Sequence, residues 1–109
     1  MTTLIHKVEH CHTMEDVRRN IDALDERIVA LMAERSGYMT QAARIKQNAD
    51  QVHDQARIDF IVERVQAIAR EQGAPDAVIA AAYRAMIAAS IDFEHDEFAR
   101  LRRQPSQEA

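Results

Sequence analysis

From Met14 to Ala49 the apolar residues recur at steps of three and four: Met14, Val17, Ile21, Leu24, Ile28, Leu31, then Tyr38, Ala42, Ile45 and Ala49. This spacing lays one stripe along a single face of an α-helix; a strand would need a period of two. Thr13 precedes the run as an N-cap, with Asp16 three residues on as its acidic first-turn partner. Such a helix reaches roughly 50 Å at ~1.5 Å per residue. A chain of 109 residues is too small to cover a rod of that length. The sequence therefore predicts a second chain along part of the seam.

Two shorter helical runs follow a polar connection at 47–53. The first starts at Asp54 as N-cap and stops at Gly73, with Ile58, Ile61, Val62, Val65, Ile68 and Ala69 as its stripe. The second begins at Pro75 or Asp76, and its stripe runs through Ile79, Tyr83, Met86, Ile87, Ser90, Ile91, Glu94, Phe98 and Leu101. With only two Gly and two Pro, the chain has few breakers, which suits long helices rather than a multi-stranded sheet. The reading is an all-α fold of three helices, one long and two shorter. It forms one domain over residues 14–103, with flexible tails at 1–13 and 104–109.

Several function classes recede on composition. No run approaches the ~18 apolar residues of a membrane span, and the N-terminal stretch lacks the apolar core of a signal peptide. One cysteine, Cys11, excludes an internal disulfide framework and suits a reducing cytoplasm. A net charge of −4 argues against general nucleic-acid binding, while local cations can still hold a small anion.

The informative positions are the polar residues that interrupt the stripes. Arg35 falls in the gap between Leu31 and Tyr38, where an unpaired charge would cost several kcal/mol. Lys46, eleven residues on, returns to within ~20° of the same face. Together they form either an anion clamp or a pair of snorkelling side chains whose methylenes cover the seam. Arg18 lies near the seam at the other end of the helix, too far to join them unless a second chain supplies it. Ser90 and Glu94 interrupt the third helix four residues apart and face one core; Glu94 can also be read as a structural partner of Lys46. Asp54 and Arg57 read as a cap and a first-turn charge. His6, His10, Cys11 and His12 invite a metal reading, but they lie on a tail with no second ligand group at a familiar zinc spacing, so no metal is expected.

The run Arg18, Ile21, Asp22, Leu24, Asp25, Ile28, Val29, Leu31, Met32 and Arg35, followed by Lys46, resembles the all-α chorismate mutases. That family includes the related isochorismate-pyruvate lyases, and the likeness extends over about residues 14–101. It implies an intertwined helical homodimer with two equivalent sites and a small dicarboxylate substrate. It implies no cofactor, metal, nucleic acid or membrane. Arg18 from the partner chain and Arg35 would hold the substrate carboxylates, and Lys46 would meet the ether oxygen and a carboxylate. Arg57 would support a carboxylate or the ring-hydroxyl region with Asp54 nearby, Ser90 would add a hydrogen bond, and Glu94 would face the ether oxygen opposite Lys46. On this resemblance Lys46 and Glu94 are the catalytic pair.

Two positions depart from the common mutase pattern. Many bacterial members carry Gln where this chain has Glu94; an amide donates a hydrogen bond at any pH, whereas a carboxyl donates only when protonated. Activity should then fall as pH rises through neutrality, an effect that the neighbouring Lys46 opposes by favouring the charged form. Many members also carry Glu after the residue equivalent to Arg57; here that position is Ile58, which is closer to the lyase branch. A non-catalytic helical dimer that binds an anionic effector or partner is the remaining alternative, set against retention of every expected cation.

Overall fold

The computed structural model describes residues 7–103. His6 of the histidine cluster, the first residues of the N-terminal tail and the stretch 104–109 lie outside the described residues. Those described contain three α-helices, one short 3-10 turn and no strand. The helices are α1 (Met14–Ile45), α2 (Gln55–Glu71) and α3 (Asp76–Leu101).

Each boundary has a local cause. At the start of α1 the Thr13 hydroxyl accepts from the Asp16 amide, and the Asp16 carboxylate accepts from the Thr13 amide, a reciprocal capping box. The His12 amide donates to the same carboxylate, and these bonds hold the Asp16 carboxyl below its usual range.

α1 ends at Ile45, one turn before Ala49, where the apolar spacing alone would stop it. The side-chain carbonyl of Gln51 accepts from the Gln47 and Asn48 amides, at 2.7 and 3.4 Å. Local capping thus replaces the next helical turn. The 3-10 turn Ala49–Gln51 follows, and buried Val52 anchors the connection.

Asp54 caps α2 through the Arg57 amide. Gly73 ends it at φ 72°, a left-handed conformation open to glycine at little cost. Its neighbour Ala74 then donates to Ala69 O at 2.8 Å, taking up one of the helix's last carbonyls. Pro75 sits at the N-cap of α3, one residue ahead of the first turn.

α3 is the central helix and packs against both α1 and α2. One side carries the small core of Val62, Ala80 and Ile87, with Ile58, Ile61, Tyr83 and Ile91 around it. The other side meets the second half of α1, where Ala43 is fully buried. There the Thr40 hydroxyl donates to Glu97 at 2.8 Å, and Arg100 closes on the same carboxylate with two bonds.

The first half of α1 is different. Residues 21–34 are exposed throughout, including Ile21, Leu24, Ile28 and Leu31, the last at 65 %. The radius of gyration, 18.1 Å, exceeds the ~13 Å of a compact domain of this length. No helix among the described residues is long and apolar enough to cross a membrane.

Candidate active site

Four of the predicted site residues meet on the seam between α1 and α3. Lys46, the C-cap of α1, extends Nζ to 2.6 Å from Glu94 Oε2. Glu94 is the buried charged side chain of the core region, 4 % exposed, whereas Lys46 keeps some access to water. Taking a carboxylate this deep out of water costs several kcal/mol, and the ammonium at contact distance offsets that cost. One turn earlier on α3, the Ser90 hydroxyl accepts from Arg35 Nη1 at 3.4 Å. Both Arg35 and Ser90 are half-buried. The interruptions of two separate stripes therefore form two cross-seam contacts, Arg35 with Ser90 and Lys46 with Glu94.

A cleft of 300 Å³ opens beside the Arg35–Ser90 contact, with Met32, Met86 and Phe93 on its apolar walls. Small-molecule sites commonly combine such walls with a few convergent polar groups. A second groove of 440 Å³, between α2 and α3, is lined by residues that include His53, Ile58, Arg84 and Ile91. None of Arg35, Lys46 and Glu94 lines it, so the charged constellation defines the candidate site rather than the available volume.

The remaining predicted residues are not brought into this constellation. Asp54 spends its carboxylate on the helix cap, and its side chain accepts from Arg57 N at 3.1 Å. Arg57 is exposed, with its guanidinium 5.2 Å from the Phe60 ring centroid. Arg18 is exposed on the first half of α1. It lies seventeen residues from Arg35 in sequence, about 25 Å along the axis. A straight helix cannot bring both to one small ligand.

Ile58 packs against the α2–α3 core instead of presenting a charge. In the tail, the His10 and His12 rings stack edge-on at 5.0 Å and the Cys11 thiol donates to Glu9 O. Among the described residues no group of three or more His, Cys, Asp or Glu side chains is placed to hold a metal ion.

Thr40, Glu97 and Arg100, which lock α1 to α3 beside the site, interrupt no apolar stripe and so are not signalled by hydrophobic spacing. Glu97 is three residues past Glu94 and follows the α1-facing side of α3. Its carboxyl is pulled down to about 2, chiefly by Arg100 and next by Thr40.

A family model described as chorismate mutase type II matches residues 17–95. No curated protein and no solved structure matches the chain. The match begins one residue before Arg18 and ends one residue after Glu94, so it encloses Arg18, Arg35, Lys46, Asp54, Arg57, Ser90 and Glu94, and it covers well over half of the sequence. With an all-α fold and cations set into its seams, this chain belongs to the type II chorismate mutase family.

Proposed function

We propose that the chain is a chorismate mutase that rearranges chorismate to prephenate. The observation that carries this reading is the Lys46–Glu94 contact, set in a mostly apolar seam beside Arg35 and Ser90. Chorismate is a dianion, and its rearrangement breaks one C–O bond while forming one C–C bond. It needs no nucleophile. Cationic anchors that fold the enolpyruvyl arm over the ring turn a flexible substrate into a reactive conformer. A donor at the ether oxygen then stabilises the negative charge that grows as the C–O bond stretches. Lys46 is that donor, and Arg35 is one carboxylate anchor. Ser90 adds a hydrogen bond. On this reading Glu94 faces the same oxygen from the opposite side once substrate parts it from Lys46. Arg57, exposed at the start of α2 beside the capping Asp54, reaches a carboxylate or the ring-hydroxyl region from outside the constellation.

The second carboxylate anchor is Arg18 of a partner protomer in a homodimer. Two observations support this assembly. Ile21, Leu24 and Ile28 are about half exposed and Leu31 more so, giving an apolar stripe that a single chain leaves wet. Arg18 also sits on that same uncovered half of α1. An intertwined pair buries the stripe and supplies the missing cation in one step. We place the enzyme in the cytoplasm, where its lone cysteine stays reduced.

Ile58 favours a second reading on the same site, isochorismate-pyruvate lyase, because an apolar residue replaces the expected contact to the ring hydroxyl. Purified protein incubated separately with chorismate and isochorismate, with products identified by chromatography, decides between them. Prephenate supports the mutase, and salicylate with pyruvate supports the lyase. Turnover of neither assigns the chain to non-catalytic binding.

A further inference from the structure

The carboxyl ends of α1 and α3 lie side by side and share one cation. Arg102, the C-cap of α3, folds its guanidinium over the Phe98 ring, 3.5 Å from the centroid. Its Nη1 donates to Phe98 O at 3.2 Å, and its Nη2 donates to Lys46 O at 2.5 Å. Glu94, Phe98 and Arg102 are spaced four apart on one face of α3. Lys46 meets that face twice: Glu94 takes its ammonium and Arg102 takes its carbonyl.

This double hold matters because of where Lys46 stands. It is the residue at which α1 stops, with φ −62° and ψ 145°, so its carbonyl lies outside the helical ladder. A four-carbon side chain amplifies any freedom at its own backbone. Arg102 removes that freedom by joining two helix ends with one planar fork. A cation is favoured at both carbonyl termini, and the Phe98 ring keeps the fork in plane.

We propose that Arg102 is a positioning residue for Lys46: it fixes the main chain at the end of α1 so that Nζ stays aimed into the site. This rests on the catalytic reading of Lys46 given above. The side chain acts through Lys46 and touches no substrate.

The test compares Arg102→Ala with Arg103→Ala, an exposed neighbour, in the full chain. In 15N spectra of the lysine ammonium groups, the Lys46 signal shifts or broadens in Arg102→Ala and stays in place in Arg103→Ala. An unmoved Lys46 signal in Arg102→Ala overturns the proposal. Turnover supplies the second readout. Arg102→Ala loses about 10- to 100-fold in kcat with KM little changed, the cost of an ångström-scale misplacement. In a Lys46→Gln background the same substitution costs less than about twofold, because its route is already cut. Losses that simply multiply overturn the proposal. Should Arg102→Ala fail to fold, Phe98→Leu removes the stacking ring while keeping an apolar side chain. It must move the same Lys46 signal, and an unmoved signal there overturns the assignment. A wild-type chain that turns over neither chorismate nor isochorismate defeats the catalytic reading alone; the ammonium spectra still decide whether Arg102 holds Lys46.

Discussion

The Lys46 ammonium lies 2.6 Å from a Glu94 carboxylate that is almost wholly buried, joining the end of α1 to the middle of α3. This ion pair is both a structural tie and the centre of the proposed chemistry. The two roles separate under substitution.

Lys46→Gln removes the proposed donor at the ether oxygen and should lower turnover about 100- to 1000-fold. It also strands the Glu94 charge, which should cost up to about 3 kcal/mol of stability. Adding Glu94→Gln to that variant should return much of the stability and none of the activity. Denaturant unfolding and product formation on the three proteins measure the two effects. Recovery of turnover in the double variant would remove Lys46 from its catalytic role.

Glu94→Gln by itself tests the side chain opposite Lys46. A paired carboxylate accepts but cannot donate to the ether oxygen, whereas an amide can donate. The Gln variant should therefore turn over chorismate at least as fast as the wild type, measured as prephenate formed. A loss of about 100-fold would show instead that the carboxylate itself is needed at this position.

Mixing experiments test the proposed partner protomer. Arg18→Ala and Arg35→Ala should each abolish turnover as pure proteins while leaving the dimer intact. After co-refolding in equal amounts, half of the dimers are mixed and each mixed dimer regains one complete site. Activity should return to about a quarter of wild type. Persistent inactivity of the mixture would place both arginines in the same protomer's site or remove one of them from it.

The Thr40–Glu97–Arg100 lock gives a stability effect with a defined pH window. The Glu97 carboxyl is held down at about 2, against an ordinary value of 4.5, by the Arg100 and Thr40 hydrogen bonds. The folded chain therefore binds fewer protons here than the unfolded chain. The lock contributes fully above pH 4.5 and is lost as pH falls through 2. Thr40→Val should lower the thermal midpoint near neutrality, with the difference from wild type shrinking in acid. A constant difference across that range would mean that the loss comes from packing and not from the carboxylate.

Gly37 offers a gain. It sits inside α1 with an ordinary helical backbone, and a Cβ built there meets nothing within 4 Å. Gly37→Ala should stabilise the chain by about 0.5–1 kcal/mol, since alanine loses less backbone freedom in a helix. Calorimetry of the variant checks this, and a loss of stability would reveal a neighbour at that surface.

Much of this was legible in the residues themselves. The three helices and their caps follow from apolar period and local chemistry, and Thr13, Asp54 and Gly73 act at the termini as their types require. Arg35, Ser90 and Glu94 stood out because each broke an apolar stripe, and Lys46 because its spacing returns it to the face of Arg35; the fold pairs them across one seam. The early end of α1 was not legible, because a glutamine side chain competing for two amides leaves no trace in hydrophobic spacing. Glu97 and Arg102 were missed for a related reason. Both lie where a polar residue breaks no rule, and their partners, Thr40 and Lys46, are more than fifty residues away in sequence.

The bare apolar face on the first half of α1 carries a consequence for how much enzyme there is at any moment. On the proposed assembly, a lone protomer is a chain with its stripe in water and its site one cation short. The quantity of working site is then set by mass action between protomers and not by the number of chains alone. Dilution becomes a brake on catalysis: below the dissociation constant, halving the protein quarters the output.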